Sequence, residues 1–462
     1  MSNTSNYLHR KLARRLIPIF VAWKCCLLLL AAFSPGPGYD TSSLILLNTS
    51  ANRHDELQSL SRCERFALRI FRWDALYFVK SAQRGYVHEQ EWAFSWAYSY
   101  LVNTSAKQLA RTSDPSLQHH IWAGVAISNV GHFLSVLALF RLLNVALGPH
   151  QDGRVPFIAS ILHILSPAAL FLSSPYTEAI FSMLNFTGML HYTLTRSTAN
   201  ANRTWTVYQD AYMLSSGILF ACATSMRGNG LLSGLIYLYD VASLLPQILT
   251  LQLSRHEARR LFATCLAGLT LAIGFVGPQY LAYQEYCVAG TANVVVRPWC
   301  KRTIPSIYSW VQSTYWNVGF LRYWTLSNLP LFLIAAPMMW LLVKSSVTVL
   351  RDRLHRPPTS PTVSQAATPA GLTPTDTRLC VLPQLALPEL ALAIAAATSF
   401  HVQIINRLSS GYPIWYLTIA EHVMAETKTG TKNSGLSKWL VRGMILYCMV
   451  QGVLYASFLP PA

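Results

Sequence analysis

LIPIFVAWKCCLLLLAAF, Leu16 to Phe33, follows the basic stretch HRKLARR of residues 9–15. A helix needs roughly 20 mostly apolar residues to cross a bilayer, and this run comes close. Basic residues before an apolar run also open a secretory signal peptide. Here no small-residue cleavage site follows and many apolar runs do, so an uncleaved first span is expected. Its basic flank assigns residues 1–15 to the cytosol. Further runs lie near 121–143, 155–173, 176–195, 209–226, 230–249, 261–285, 328–349, 385–406, 411–425 and 440–459. The chain is 52% hydrophobic and only 12% charged, with mean hydropathy +0.31. Soluble domains carry about twice that share of charge. The expected fold is therefore an all-α polytopic membrane protein of about eleven transmembrane helices.

The net charge of +17 does not form a nucleic-acid patch, because the basic residues are scattered between apolar runs. Threading from a cytosolic N-terminus puts Arg141, Arg154, Arg196, Arg203, Arg255, Arg259, Arg260, Lys344, Arg351, Arg353, Arg356, Lys428, Lys432 and Lys438 on cytosolic ends or loops. The opposite turns near 174 and 408 are almost bare of Lys and Arg, which satisfies the positive-inside rule. The resulting organisation is a first helix at 16–33, a luminal segment at 34–118 and a transmembrane bundle at 119–285. A luminal aromatic loop at 286–327, a helix at 328–350, a cytosolic linker at 351–384 and C-terminal helices at 385–462 complete it. The linker is rich in Pro, Thr and Ser and reads as disordered. Sequons at Asn48 and Asn103 fall in the lumen, and one at Asn202 in the cytosol. Nine cysteines show no metal-like spacing. Cys287 and Cys300 share one loop, where a disulfide depends on an oxidising compartment; spacing alone leaves it open. No internal repeat supports a transporter built from duplicated halves.

Polar chemistry collects in the two luminal segments. Residues 64–100 carry eleven aromatics among charges, the texture of helices lying in a membrane interface. Within them FRWDALYF, Phe71–Phe78, raises a question about Asp74. In a helix its neighbours three and four positions away are Ile70, Phe71, Tyr77 and Phe78, and none is a cation. A carboxylate aimed into such a surface is costly unless compensated, so either a distant cation holds it or the site uses it. Glu64, Glu89 and Glu91 lie in the same segment. The second segment holds Trp299, Trp310, Trp316 and Trp324, whose rings suit an interfacial belt or stacking on sugars. MRGNG places Arg227 and Asn229, SPYTE places Tyr176 and Glu178, and HVQIINR places His401 and Arg407 at span ends on the same luminal face. A carboxylate base, aromatic platforms and cations at a lipid boundary suit transfer of a sugar from a lipid phosphate to a hydroxyl. Neither a P-loop nor a dinucleotide fingerprint is present, which favours a lipid-linked donor over a nucleotide sugar.

At these residues the sequence resembles the GPI mannosyltransferase 2 family, over nearly the whole chain except 351–384. The resemblance rests on RWDALYF with the following GY and Glu89, SPAALFLSSPYTEAIF, SMRGNGL, GPQYLAYQEYC and PWC with IPSIYSWVQSTYWNVGFLRYW, then HVQIINRLSS and the terminal FLP. It implies a GT-C glycosyltransferase of the endoplasmic reticulum membrane with a luminal active site. It also implies transfer of the second mannose of the GPI precursor, in α1,6 linkage, from dolichyl phosphate mannose. A β donor and an α product imply inversion by single displacement. The implied partners are this donor and the glycolipid acceptor, with a small membrane accessory subunit as a further candidate; neither metal nor cofactor is expected. WAFSWAYSY lacks the family's proline, Gly228 stands where serine is common, and Ala169 where asparagine is common.

Asp74 is the candidate base, with Glu89 as a second candidate. The candidate substrate contacts are Arg72, Trp73, Tyr176, Glu178, Arg227, Asn229, Tyr315, Trp316, Asn317, His401 and Arg407, of which Arg227, His401 and Arg407 are assigned to the donor phosphate. The competing functions are a lipid or solute transporter and a non-catalytic scaffold subunit.

Overall fold

The computed structural model describes residues 3–35, 42–43, 45–46, 61–148, 153–202, 205–288, 297–355, 374–429 and 435–459. The Asn48 sequon, residues 203–204 after Asn202 and most of the expected linker lie outside them. Among the described residues all regular structure is helical.

A long first helix, α1 (Asn3–Phe33), is followed by three shorter ones: α2 (Arg62–Ile70), α3 (Ala75–Arg84) and α4 (Trp96–Ala110). Next come α5 (Leu117–Leu147), α6 (Arg154–Ile164), α7 (Glu178–Asn202), α8 (Val207–Met226) and α9 (Gly234–Ser243). The rest are α10 (Arg255–Tyr283), α11 (Ile307–Tyr315), α12 (Leu329–His355), α13 (Pro374–Thr398), α14 (Ile414–Thr429) and α15 (Leu436–Ala456). Among the described residues, six helical stretches are long and apolar enough to cross a membrane: Tyr7–Phe33, Leu117–Leu147, Arg255–Val288, Leu326–Asp352, Val381–Thr398 and Leu436–Ala456. This establishes a polytopic helical protein but does not confirm eleven spans. The run expected at 155–173 is the eleven-residue α6 and a separate turn at Ala169–Leu172. The run at 230–249 is likewise broken, into a turn at Gly228–Ser233, α9 and a short helix at Leu245–Leu249. Within the expected linker, residues 351–355 finish α12 and α13 begins at Pro374.

Local sequence explains the boundaries. Ser61 and Glu64 cap α2 reciprocally, and Ser254 and Glu257 do the same for α10. Ser95 accepts the Tyr98 amide at the start of α4. Arg69 donates to the Ala31 and Ala32 carbonyls, occupying the unpaired C-terminal end of α1. In the bundle core, fully buried Glu389 of α13 accepts the Ile414 amide at 3.1 Å and the Ser345 hydroxyl at 2.7 Å. It thereby fixes the start of α14 against α12.

The main core joins α5, α7, α8, α10, α12, α13 and α14, while a second one packs α2 to α4 over α5 and the end of α15. A smaller cluster of Trp92, Ala282, Trp299, Ile307 and Val311 seats residues 297–316 on the first non-spanning segment. Cys287 and Cys300 are disulfide-bonded, which brings the end of the helical run from α10 to the start of that segment. Gln279 of α10 accepts from the Ser306 hydroxyl and the Tyr308 amide, both at 3.0 Å.

Small residues let α8 and α10 approach closely. A side chain at Gly274 would run into the Ala221 carbonyl, and one at Gly217 would sit 2.8 Å from the Ala267 backbone. Gly274→Ala is expected to cost about 1–3 kcal/mol through overpacking, seen as a lower thermal unfolding midpoint of the purified protein in detergent.

Candidate active site

The FRWD segment does not continue as a helix. α2 ends at Ile70, and Trp73 takes a left-handed backbone, φ +55°. Asp74 then stands at the N-cap of α3, yet its carboxylate caps nothing there. It reaches Arg407 instead, at 2.8 Å and 333 residues further along the chain. A distant cation therefore does hold Asp74, and the pair borders a cavity.

That cavity has a volume of about 560 Å³ and lies where α3 begins and α8 and α13 end. Six of the residues singled out from sequence line it: Asp74, Arg227, Asn229, Trp316, His401 and Arg407. Its polar wall is a chain of alternating charges. Glu178 accepts from Arg227 at 2.6 Å and lies 3.4 Å from Arg407 Nε, while Arg407 pairs with Asp74. Arg227 also donates to the Thr177 hydroxyl at 3.1 Å. Buried ions need such partners, because neither carboxylate nor guanidinium is stable alone away from water. Burial works against the Arg407 charge, but Asp74 and Glu178 outweigh it and hold the guanidinium above its usual range. The Arg407 guanidinium lies over Phe171 and Tyr176, at 4.9 and 5.7 Å from their ring centres.

The remaining wall is aromatic and apolar. Trp316 packs edge-on against Phe94, and its carbonyl pairs with His401 Nε2 at 3.0 Å. His401 stacks on Tyr323. Asn229 donates to the Tyr412 hydroxyl, which returns a bond to the Asn229 carbonyl. Leu231, Leu232, Phe275, Phe400 and Leu408 complete the lipid-like side.

The structure places the other candidates outside the cavity lining. Glu89 does not line the cavity: Trp299 donates to it at 3.1 Å and Arg297 lies 3.4 Å away, so it ties the two non-spanning segments together. Trp73 is turned by its positive φ against Phe458 rather than into the cavity. Arg72 is buried, donates to Ser43 at 2.7 Å and lies over Phe458. Its carbonyl accepts the hydroxyls of Tyr176 and Tyr455, so Tyr176 is a buttress behind the site. Glu178 has a side chain only 1% exposed and acts on the wall from behind it. Tyr315 and Asn317 flank the lining residue Trp316 without lining the cavity themselves.

Sequence reading missed Ser95, Thr177, Tyr308 and Gln312, all of which line it. The signal was available for two of them: Tyr308 and Gln312 are four apart on α11 and share its face. Burial pushes the Tyr308 phenol up, opposed by Arg227, so it is a neutral hydrogen-bonding group. Among the described residues no group of three His, Cys, Asp or Glu side chains could hold a metal ion. A second cavity, about 310 Å³ and lined by Trp340, Lys344, His422 and Glu426, contains none of the candidates.

In chemical terms, a partly exposed carboxylate, 34% accessible, is paired with one guanidinium group and shares the cavity lining with a second and with apolar and aromatic side chains. Such a lining can bind a phosphate and accept a proton next to it.

The chain is similar to known proteins over nearly its whole length. GPI mannosyltransferase 2 of Aspergillus oryzae is 40% identical over 457 residues, covering 97% of this chain and 96% of that protein. The Chaetomium globosum protein of the same name is 38% identical, covering 100% and 98%. The Cricetulus griseus GPI alpha-1,6-mannosyltransferase 2 is 31% identical, over 60% of this chain and 57% of its own. Among solved structures, the Archaeoglobus fulgidus oligosaccharyltransferase tethered to an acceptor peptide is similar with TM-score 0.45 and 11% identity, covering 96% of this chain and 56% of that one. ArnT from Cupriavidus metallidurans gives TM-score 0.36 and 12% identity, covering 96% and 74%. The model of the mannosyltransferase (PIG-V) family matches residues 13–462, and the chain belongs to that family of membrane glycosyltransferases.

Proposed function

We propose that the protein transfers mannose from dolichyl phosphate mannose to the first mannose of the GPI precursor, in α1,6 linkage, at the luminal face of the endoplasmic reticulum. The observation that carries this reading is the sharing of one cavity wall by Asp74, Arg407 and Arg227 in a chain of this family. The relatives' names supply the glycolipid and, for the hamster protein, the linkage. The Cys287–Cys300 disulfide supports an oxidising compartment on the side bearing the cavity, and the Trp and Tyr side chains around residues 299–324 support a membrane interface there.

The chemistry follows from the wall. The acceptor's primary hydroxyl, directed by Asp74, attacks the anomeric carbon of the donor mannose. The new C–O bond forms as the bond from that carbon to the phosphate oxygen breaks, and the electron pair stays on the phosphate. The acceptor proton passes to Asp74, and Arg227 and Arg407 balance the charge gathering on the departing phosphate. One displacement inverts the β donor bond to an α product. Phe275, Phe400, Leu231 and Leu232 suit the isoprenoid chain, while Trp316, also lining the cavity, suits a sugar face.

The test is an assay in membranes containing the full-length protein, with dolichyl phosphate mannose and a one-mannose GPI acceptor. Asp74→Asn and Asp74→Ala are expected to lower turnover on the order of 10²- to 10⁴-fold while the protein accumulates normally. Near-normal transfer by both variants would remove Asp74 from the mechanism.

Glu89 is expected to behave differently. Glu89→Gln can still accept the Trp299 hydrogen bond, so turnover stays within about threefold of the parent. Glu89→Ala strands that indole and lowers the unfolding midpoint. A loss with Glu89→Gln as deep as that of Asp74→Asn would make Glu89 the base.

A further inference from the structure

Arg407 is shared between two carboxylates of opposite character. Glu178, 1% exposed, lies behind the wall and also holds Arg227. Asp74 is 34% exposed, lines the cavity and is engaged by Arg407 Nη2 at 2.8 Å. The guanidinium lies over Phe171 and Tyr176, which hold it in place while leaving the Asp74 side on the cavity. A guanidinium binds phosphate in the same forked manner as it binds carboxylate, so a phosphate entering the cavity and the Asp74 carboxylate are rival ligands for one cation.

We propose that the donor phosphate displaces Asp74 from Arg407, so that donor binding itself releases the base that the transfer requires. Glu178 stays in place through the exchange, because it is enclosed and bound to both arginines. The inference rests on the reading that the phosphate lies against Arg227 and Arg407. It gives the reaction an order. Before the donor arrives, a carboxylate oxygen of Asp74 is occupied by Arg407. Once the phosphate holds Arg407, that oxygen is released to meet the acceptor hydroxyl. No bond is made or broken in this step; one charge-assisted hydrogen bond replaces another.

A consequence separates this scheme from a simple base assignment: removing the Asp74 carboxylate, which is expected to lower turnover, should improve binding of the phosphate. The probe is farnesyl phosphate, an isoprenoid monophosphate, titrated against the purified full-length protein, with farnesol correcting for partition of the tail. Asp74→Asn is expected to bind farnesyl phosphate roughly two- to fivefold more tightly than the parent, the range for a partly exposed ion pair that no longer has to be broken. Asp74→Ala should tighten in the same sense and serves if the Asn variant does not accumulate. Arg407→Gln should weaken binding. If Arg407→Gln weakens binding while both Asp74 variants match the parent or bind less tightly, the phosphate site stands and the exchange is wrong. If Arg407→Gln leaves binding unchanged, the phosphate lies elsewhere, and the exchange falls with the reading beneath it.

Discussion

The row Arg227–Glu178–Arg407–Asp74 is the constraint around which the molecule is organised. Its members come from four separate parts of the chain, and the pairings among them span from 49 to 333 residues. Its interior members cannot be dropped cheaply: without Glu178, Arg227 loses its carboxylate partner, and without Arg407, the enclosed Glu178 keeps only one of its two cations. Breaking a buried pair by deleting one partner is far more costly than the net worth of the pair. The row therefore forms only when α3, α7, α8 and the segment after α13 are all docked.

A second layer holds the row at its position. The Arg72 carbonyl, two residues before Asp74, accepts two buried tyrosine hydroxyls, one from the turn before α7 and one from α15. Lys24 of α1 donates to the Leu172 carbonyl and the Ser173 hydroxyl, at 2.8 and 2.7 Å, bracing the turn that leads to Tyr176 and Glu178. On the far wall, Gln279 pins the start of α11, and Glu89 with Trp299 fixes the segment before it. Charged residues are precise catalysts only where their supports are themselves locked by packing and hydrogen bonds. The aromatic and charged groups are braced together as well, since Tyr77, three residues after Asp74, packs on Phe94 and Trp316.

The helical membrane fold was legible because apolar runs are local signals. The count of spans was not, because α6 and α9 are too short or too broken to be judged by hydropathy alone. Asp74 was legible as an anomaly: an acid whose helical neighbours offered no cation. Its partner was not, since nothing local relates Arg407 to Asp74. Trp73 and Glu89 stood in the same suggestive stretch and were read with Asp74. A left-handed backbone at Trp73 and an indole more than two hundred residues from Glu89 decided otherwise. Neither is written in the local pattern. Tyr308 and Gln312 show the reverse case, where helical spacing in IYSWVQS carried a signal that the abundance of aromatics concealed.

The account's central claim is that the phosphate of the donor and the hydroxyl of the acceptor meet at this wall. The most direct measurement is a cryo-electron microscopy structure of the full-length protein with dolichyl phosphate mannose and an acceptor analogue bound. The account predicts the phosphate within hydrogen-bonding distance of Arg227 and Arg407, and the acceptor hydroxyl beside an Asp74 carboxylate. A phosphate bound instead in the cavity of Lys344 and His422, or an acceptor hydroxyl remote from Asp74, would contradict it.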